Sequence, residues 1–282
     1  MAAQVKVFYH SDTSTLCYIV FDQVGGHAVV IDSVRDFAVN SGKVDNYFAD
    51  QLIAFLKDNS LTLDWILETH AHADHLSAAS YLRSQLGGKV AVGKGIIEVQ
   101  AVFKELLALP EGLFSDGRDG FDHLFEDKEH FTFGTLKGLV LATPGHTNDS
   151  VTYIIEDNAF VGDTLFMPDF GSARCDFPGG DASLLYDSIR RLYDLPDETN
   201  LWICHDYQPG GRALEYLTTV ADSKAENIHI NDDVTKSDFV EFRQERDSHL
   251  DAPKLLYPSV QVNIRAGQLP EQFFKIPVIM VA

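Results

Sequence analysis

The order of apolar and polar positions along the chain predicts alternating strands and helices. Two short apolar runs, residues 16–21 and 27–32, lie on either side of a Gly-Gly pair, which is typical of a β-hairpin. Residues 44–59 carry apolar side chains at helical spacing, and the apolar run over 63–67 has the length of a buried strand. The first part of the chain is therefore predicted to be an α/β unit.

The alternation continues through the middle of the chain. Helices are predicted over residues 76–86 and 95–109, a strand over 90–92, and an exposed polar loop over 111–128. Beyond this loop the pattern predicts strands over 136–142, 150–155, 159–161 and 201–204, and helices over 182–193 and 212–227. Two similar α/β halves of this kind favour two sheets packed face to face with helices outside.

The length of 282 residues fits one large domain with a substantial core. We predict a single domain over residues 1–282, in which residues 212–282 supply a helix and then an extended tail over 255–281. No apolar run approaches the roughly 20 residues that a membrane-spanning helix needs, and residues 1–6 lack the features of a signal or transit peptide. A cytoplasmic location is therefore expected.

Charge and cysteine content exclude several classes of protein. The net charge is −20, with 42 acidic and 22 basic residues. This balance argues against nucleic acid or an anionic membrane as a partner, because phosphate groups are bound mainly by basic residues. The three cysteines are too few and too scattered for a disulfide framework or a cysteine-based zinc site. Cys175 and Cys204 are expected to be buried apolar residues rather than metal ligands.

Three histidines and an aspartate follow directly after the predicted strand 63–67. They are His70, His72, Asp74 and His75. Imidazole and carboxylate groups bind transition metals at neutral pH. The spacing of these four residues does not fit one helical face, so the zinc signature with two histidines four apart on a helix is excluded. We predict a metal-binding loop after the strand, with the last two of the four residues starting the next helix. The alternative is a polar turn whose histidines have no function.

Three further junctions between a strand and a loop carry histidine or aspartate. His146 follows the strand 136–142 at a Pro-Gly turn, Asp163 follows the strand 159–161, and His205 follows 201–204. Side chains at such junctions can gather at one edge of the sheets. Together with the histidine-rich loop, they predict a metal site at that edge.

The motifs at these four junctions resemble, in order, those of the metallo-β-lactamase superfamily. They are H-A-H-A-D-H at 70–75, T-P-G-H-T at 143–147, G-D-T at 162–164 and the histidine at 205. The resemblance covers residues 16–211. It implies an αββα sandwich, an α/β fold in which two packed mixed sheets carry outer helices and hold the metal at one edge.

Within the superfamily the chain resembles the glyoxalase II branch, and more closely its persulfide dioxygenase subgroup. The closer resemblance rests on A-H-A-D-H at 71–75, A-R-C-D-F at 173–177, H-D-Y at 205–207 and the C-terminal segment 259–267. Glyoxalase II enzymes have a different segment at 173–177. They also have a helical C-terminal domain that grips glutathione, which the residues after Tyr207 do not resemble.

The two branches imply different metal centres. Resemblance to glyoxalase II implies two metals that activate a water molecule for attack on a thioester. In that case the first metal is held by His70, His72 and His146, the second by Asp74, His75 and His205, and Asp163 bridges them. Zinc is the metal expected under this alternative.

Resemblance to persulfide dioxygenases implies a single Fe(II) held by His70, His146 and Asp163. Two histidines and one carboxylate leave open positions for a persulfide sulfur and O₂, as in other non-haem iron oxygenases. The remaining four residues would then orient the ligands through hydrogen bonds; they are His72, Asp74, His75 and His205.

Arg174, Tyr207 and Arg265 are the predicted substrate-binding residues, because each lies in a segment that resembles the dioxygenase subgroup. Each also has a simpler interpretation. Arg174 could form a surface salt bridge to Asp176, Tyr207 could pack as an ordinary aromatic side chain, and Arg265 could have a structural role.

We therefore expect a persulfide dioxygenase that oxidises glutathione persulfide, or a similar small persulfide, with O₂ to sulfite and the free thiol. The alternative enzyme is a dinuclear hydrolase of glutathione thioesters. A non-catalytic metal sensor is a third hypothesis, disfavoured because a sensor needs no open coordination position beside a substrate-binding arginine. The expected partners are small molecules, and a homodimer is left open.

Overall fold

Two six-stranded sheets form the centre of the computed structural model, which describes residues 2–110, 112–114, 118–271 and 274–277. The first sheet has the order β1-β2-β3-β7-β9-β10. Its strands are β1 (Gln4–His10), β2 (Thr15–Phe21), β3 (His27–Ile31), β7 (Thr62–Leu67), β9 (Lys89–Gly93) and β10 (His123–Phe125). The second sheet runs in sequence order through β11 (His130–Phe133), β12 (Leu136–Ala142), β13 (Val151–Ile155), β14 (Asn158–Phe160), β15 (Asn200–Trp202) and β16 (Leu217–Thr219).

Two short strand pairs and seven helices complete the described part of the chain. The pairs are β4 (Val34–Arg35) with β8 (Leu76–Ser77), and β5 (Phe37–Ala38) with β6 (Lys43–Val44). The helices are α1 (Tyr47–Asp58), α2 (Ala79–Leu86), α3 (Ile96–Leu106), α4 (Ala182–Tyr193), α5 (Val220–Glu226), α6 (Lys236–Asp247) and α7 (Leu256–Asn263). A 3₁₀ turn spans Pro209–Gly211.

The two sheets pack face to face, as the fold class predicted. Alternate residues of a strand point to opposite faces, and every residue of β2 is buried. Leu16, Tyr18 and Val20 join a core that includes strands of the second sheet and the apolar face of α4. Cys17 and Ile19 belong to a second core, which the first sheet forms with α1, α2, α3 and α7. The αββα prediction is therefore confirmed.

The predicted β-hairpin and the helix over 182–193 are confirmed, and most other elements agree within a few residues. The predicted helix over 76–86 begins only at Ala79, so the prediction that Asp74 and His75 start it is wrong. Leu76–Ser77 instead pairs with Val34–Arg35 as β8. Strand pairing with a distant segment overrides the local helical pattern here.

Two other predictions need correction for the same physical reason. The loop predicted over 111–128 contains β10, which pairs in parallel with β9 and buries Phe125; residues 111 and 115–117 of that loop lie outside the described part. The helix predicted over 212–227 is limited to Val220–Glu226, because Leu217–Thr219 pairs with β15 as β16.

The C-terminal tail predicted over 255–281 is not extended throughout. Leu256–Asn263 forms α7, whose residues from Pro258 onward are buried. The helix α6 was not predicted. Of the three side chains that it buries, Phe239 is apolar and the other two are an arginine and an aspartate, so the sequence does not show an apolar helical face. Residues 272–273 and 278–282 lie outside the described part.

None of the helices within the described ranges is long and apolar enough to cross a bilayer. The cytoplasmic location stays a prediction.

Candidate metal centre

Four loops that follow strands meet at one edge of the sandwich. The first is the histidine loop (residues 69–75), which comes directly after β7. The others present His146 after β12, Asp163 after β14 and His205 after β15. The edge is closely packed: a Cβ atom on Gly145, whose φ is 140°, would lie 2.3 Å from the backbone nitrogen of Leu185 in α4. The residue before His146 must therefore lack a side chain.

The first group of candidate ligands is His70, His146 and Asp163. Their donor atoms all lie within 4.8 Å of one another. Nε2 of His70 is 3.9 Å from Oδ2 of Asp163, and Nε2 of His146 is 3.7 Å from the same oxygen. Atoms that bind one metal at about 2.1 Å lie about 3 to 3.5 Å apart. These two separations need to shorten by only a few tenths of an ångström for the atoms to share an ion.

The second group is His72, Asp74, His75 and His205, whose donor atoms also lie within 4.8 Å of one another. Nε2 of His205 is 3.2 Å from Oδ2 of Asp74 and 3.4 Å from Oδ1 of Asp163. The two oxygens of Asp163 therefore face different groups, and this carboxylate lies between them.

The unpaired donor atoms test whether a metal fits. Buried polar atoms are nearly always hydrogen-bonded, and leaving one unpaired costs about 1–3 kcal/mol. Within the described ranges, six buried atoms of the two groups make no hydrogen bond: Nε2 of His70, Nδ1 of His72, Oδ2 of Asp74, Nε2 of His75, Oδ1 of Asp163 and Nε2 of His205. Two of these atoms belong to the first group and four to the second, so metal binding at this edge would give them partners. The donor set fits a transition metal.

His146 and His205 each make a hydrogen bond through the ring nitrogen that faces away from the ligand groups. That bond determines which nitrogen is free to bind a metal. Nδ1 of His146 donates to the carbonyl of Arg174 at 2.7 Å, and Nδ1 of His205 donates to the carbonyl of Ser14 at 3.2 Å. In both rings Nε2 therefore keeps its lone pair for a metal. Such outer contacts set ring orientation and ligand basicity.

Asp32 organises the start of the histidine loop. Its carboxylate accepts hydrogen bonds from the backbone N–H and the hydroxyl of Thr69, at 2.7 and 2.9 Å. Because that hydroxyl donates to Asp32, it accepts from Nδ1 of His70 at 3.0 Å. Nε2 of His72 donates to Asp32 at 3.0 Å and lies 3.5 Å from a carboxylate oxygen of buried Glu68.

Burial and neighbouring charge keep two histidines neutral. Burial, with His72 next in importance, lowers the pKa of His70 well below its usual value. The same two causes lower the pKa of His75 to about 4. A neutral imidazole has the lone pair that a metal needs. Both rings are therefore in the binding form at neutral pH.

The cysteines are not in the binding form. Burial raises the pKa of Cys175 to about 12 and raises that of Cys204 well above its usual value, with Asp32 adding to the shift of Cys204. The thiolate is the metal-binding species of cysteine, so both remain thiols.

Asn263, at the end of α7, holds the histidine loop from a distance of almost 190 residues along the chain. Its Nδ2 donates to the carbonyls of His72 and His75 at 2.7 and 2.8 Å, and its Oδ1 accepts from the backbone N–H of Ser77 at 2.8 Å. The sequence segment 259–267 was noted as similar to the dioxygenase subgroup, but no role was predicted for Asn263.

A buried ion pair on α6 supports His146 indirectly. Arg243 and Asp247 pair with each other inside the protein. Arg243 donates to the carbonyl of Ser172 at 2.9 Å, and Asp247 accepts from the backbone N–H of Cys175 at 2.8 Å. These bonds fix the segment that contains the Arg174 carbonyl, which holds His146.

Two of the three predicted substrate-binding residues lie beside the metal centre. A cavity of about 270 Å³, here called the aromatic cavity, has Arg174 and Tyr207 in its wall. It is also lined by His146, Asp163, Phe166, Phe170, Phe177 and Arg246. The ring of Tyr207 stacks on that of His205, with 5.7 Å between centroids and 16° between planes.

Arg174 also forms the salt bridge that was the simpler interpretation. Its Nε and Nη2 donate to the two oxygens of Asp176, each at 2.6 Å, and its Nη1 donates to the carbonyl of Asp251 at 2.8 Å. Arg265 lies apart from the group. Its Nε is 3.8 Å from Oδ2 of Asp119, and it is not among the described residues that line the aromatic cavity.

A second cavity, of about 620 Å³, lies on the side of Asp74 and His75. It shares Asp74 and Tyr207 with the aromatic cavity, and charged residues such as Arg35 and Lys254 line it. His146 and Asp163 of the first group therefore border the aromatic cavity, His75 borders the larger charged one, and Asp74 borders both.

Comparison with known proteins agrees with the fold and the donor set. Residues 11–205 match the Metallo-beta-lactamase superfamily, and the chain belongs to that superfamily. A probable metallo-hydrolase of Burkholderia pseudomallei is 47% identical over 97% of this chain and 98% of its own. Glyoxylase B2 of Dictyostelium discoideum is 45% identical over 98% of this chain and 97% of its own.

The resemblance to persulfide dioxygenases is also found, at lower identity. Persulfide dioxygenase ETHE1 of Homo sapiens is 28% identical over 72% of this chain and 68% of its own. The crystal structure of ETHE1 from Myxococcus xanthus has a TM-score of 0.75 at 28% identity, covering 94% of this chain and all of that one. Superfamily and donor set together indicate a metal-dependent enzyme.

The contacts of Asn263 generate a prediction about metal affinity. Asn263→Ala should weaken metal binding about 10- to 100-fold, because partners of this kind orient the ligands. Gln261→Ala is the matched control: Gln261 is also buried on α7, but its Nε2 donates to the carbonyls of Tyr257 and Lys275 instead. Metal affinity is measured by competition with a chelator. Equal metal affinity in the two variants would contradict a positioning role for Asn263.

Proposed function

We propose that the protein is a persulfide dioxygenase that uses one Fe(II) per chain, held by His70, His146 and Asp163. The substrate is glutathione persulfide or a similar small persulfide, and the products are sulfite and the free thiol. The observation that carries the proposal is which residues form the first ligand group. His70, His146 and Asp163 form one group of donor atoms within 4.8 Å of one another, and two histidines with one carboxylate are the ligand set of non-haem Fe(II) oxygenases.

The position of His72 supports one metal rather than two. In the dinuclear alternative His72 joins His70 and His146 on the first metal. Its donor atoms instead group with Asp74, His75 and His205, and in a further set with two buried carboxylates. The hydrogen bond from Nε2 of His72 to Asp32 suits a residue that orients the loop.

The surroundings of the first group suit an oxidation in a dry pocket. Bound Fe(II) would supply the redox chemistry, while the protein supplies geometry and the exclusion of water. Phe166, Phe170 and Phe177 give the aromatic cavity an apolar wall beside His146 and Asp163. That wall keeps water from the persulfide sulfur, and the hydrogen bond from His146 to the Arg174 carbonyl keeps its ring aimed at the ligand group.

A dinuclear thioester hydrolase is the second candidate, and specific observations favour it. All the ligands of two metals are present, and the two oxygens of Asp163 face the two groups. The relatives at 47% and 45% identity also carry the names metallo-hydrolase and glyoxylase. A bridged pair of metals would activate water for attack on a thioester.

Side-by-side assays separate the two reactions. With glutathione persulfide the purified protein should consume O₂ and release sulfite, whereas S-D-lactoylglutathione should be turned over poorly or not at all. O₂ is followed with an oxygen electrode and the thioester by absorbance. Rapid thioester hydrolysis without oxygen uptake would assign the protein to the hydrolases.

Two histidine variants test the ligand assignment. His146→Ala should remove most of the iron, because it deletes one of three protein ligands. His205→Ala should keep the iron while lowering activity about 10-fold or more, since a residue outside the ligand set tunes the metal rather than holding it. Iron is measured by elemental analysis of both variants and the parent. Loss of iron in His205→Ala to the same extent would make His205 a ligand.

A further inference from the structure

We propose that Arg246 binds a carboxylate of the substrate at the mouth of the aromatic cavity, an inference that rests on the proposed function. Arg246 lies in the last turn of α6. It lines the aromatic cavity together with His146 and Asp163. It also borders a groove on the outer surface of α6, beside Glu241 and Glu245. A side chain that borders both spaces stands between solvent and the metal centre.

Arg246 differs from the other arginines of this cavity in its partners. Arg174 is bound by Asp176 on two nitrogens, and Arg243 is paired with buried Asp247. Within the described part of the chain no carboxylate lies within 4.0 Å of the Arg246 side-chain nitrogens. Arg246 is therefore the cavity arginine whose guanidinium is available to a ligand.

A second arginine, Arg243, lies close enough to Arg246 to influence its pKa. Burial, and then the neighbouring Arg243, lower the pKa of Arg246. Burial and the same two arginines lower the pKa of buried His229 to about 3, so this ring stays neutral. The two arginines, Arg243 and Arg246, thus lie close together, and Asp247 pairs with Arg243.

The shape and chemistry of the cavity indicate the ligand class. Its wall includes three phenylalanines, two residues of the first ligand group and Arg246. Arginine binds carboxylates with two parallel hydrogen bonds. The arrangement suits a small molecule with its sulfur at the metal and a carboxylate several bonds away. Glutathione persulfide has such carboxylates, whereas 2-hydroxyethyl persulfide has none.

Kinetics with these two persulfides test the assignment in the iron-loaded, full-length protein. Arg246→Met should lower kcat/KM for glutathione persulfide about 10- to 150-fold, the loss typical of a hydrogen bond to a charged group. The loss should appear in KM, with kcat and iron content nearly unchanged. Values for 2-hydroxyethyl persulfide should not change. Arg246→Lys should recover part of the loss, because it keeps the charge but not the two parallel bonds.

Lys236→Met is the matched control, because Lys236 lies on the same helix and pairs with Asp187 away from the cavity. It should leave both substrates unaffected. Equal losses for the two persulfides in Arg246→Met would overturn the proposal, since they would indicate a general disturbance of α6. Unchanged kinetics with glutathione persulfide would also overturn it.

Binding of an inert analogue keeps this proposal separate from the reaction class. Glutathione sulfonate, which has the same carboxylates and cannot be oxidised as a persulfide, is titrated into the protein by calorimetry. Arg246→Met should raise its Kd 10-fold or more. If the parent binds the analogue through Arg246 but oxidises no persulfide, the dioxygenase assignment fails and the Arg246 assignment stands. Equal Kd values in parent and variant, or no binding by the parent, would overturn the Arg246 assignment.

Discussion

The burial of unpaired histidine and aspartate donor atoms is the constraint on which the rest of this structure depends. Each such atom costs about 1–3 kcal/mol when it has no partner, and six of them converge at one edge of the two sheets. Metal binding at that edge would give these atoms partners, and the binding free energy at such a site adds to the folding free energy. The sandwich brings together loops that are far apart in sequence, and a bound metal would stabilise their contact.

Residues far from the histidine loop in sequence keep its geometry. Asp32 holds the start of the loop, and Asn263 holds its end through two backbone carbonyls. The pair of Arg243 and Asp247 fixes the segment whose carbonyl orients His146. Helices α6 and α7 therefore belong to the metal centre, although neither contributes a ligand in either candidate mechanism. Their side chains hold the backbone on which the candidate ligands lie.

The sequence predicted the parts of the site that depend on local order along the chain. Histidine and aspartate directly after apolar runs indicated where strands end, and the structure brings His70, His146, Asp163 and His205 to one edge. The packed sheets followed from the same alternation. Elements whose existence depends on distant partners were missed or misplaced: β8 and β16 form by pairing with remote strands, and α7 is buried against the histidine loop.

The polar residues behind the ligands were harder to predict for a related reason. Asn263, Arg243 and Asp247 are residue types that usually lie on protein surfaces. Their sequence context does not indicate burial, but all three are buried in the folded chain. Arg174 was predicted to bind substrate because of its segment, but its guanidinium is bound by Asp176. A pattern of residue types does not reveal which arginine lacks a carboxylate partner.

The number and identity of the bound metals test the central claim most directly. Anomalous diffraction should be recorded at the iron and zinc absorption edges from crystals of protein purified without added metal. One iron peak is expected, bounded by His70, His146 and Asp163, with no second peak among Asp74, His75 and His205. Two zinc peaks, one in each ligand group with Asp163 between them, would contradict it.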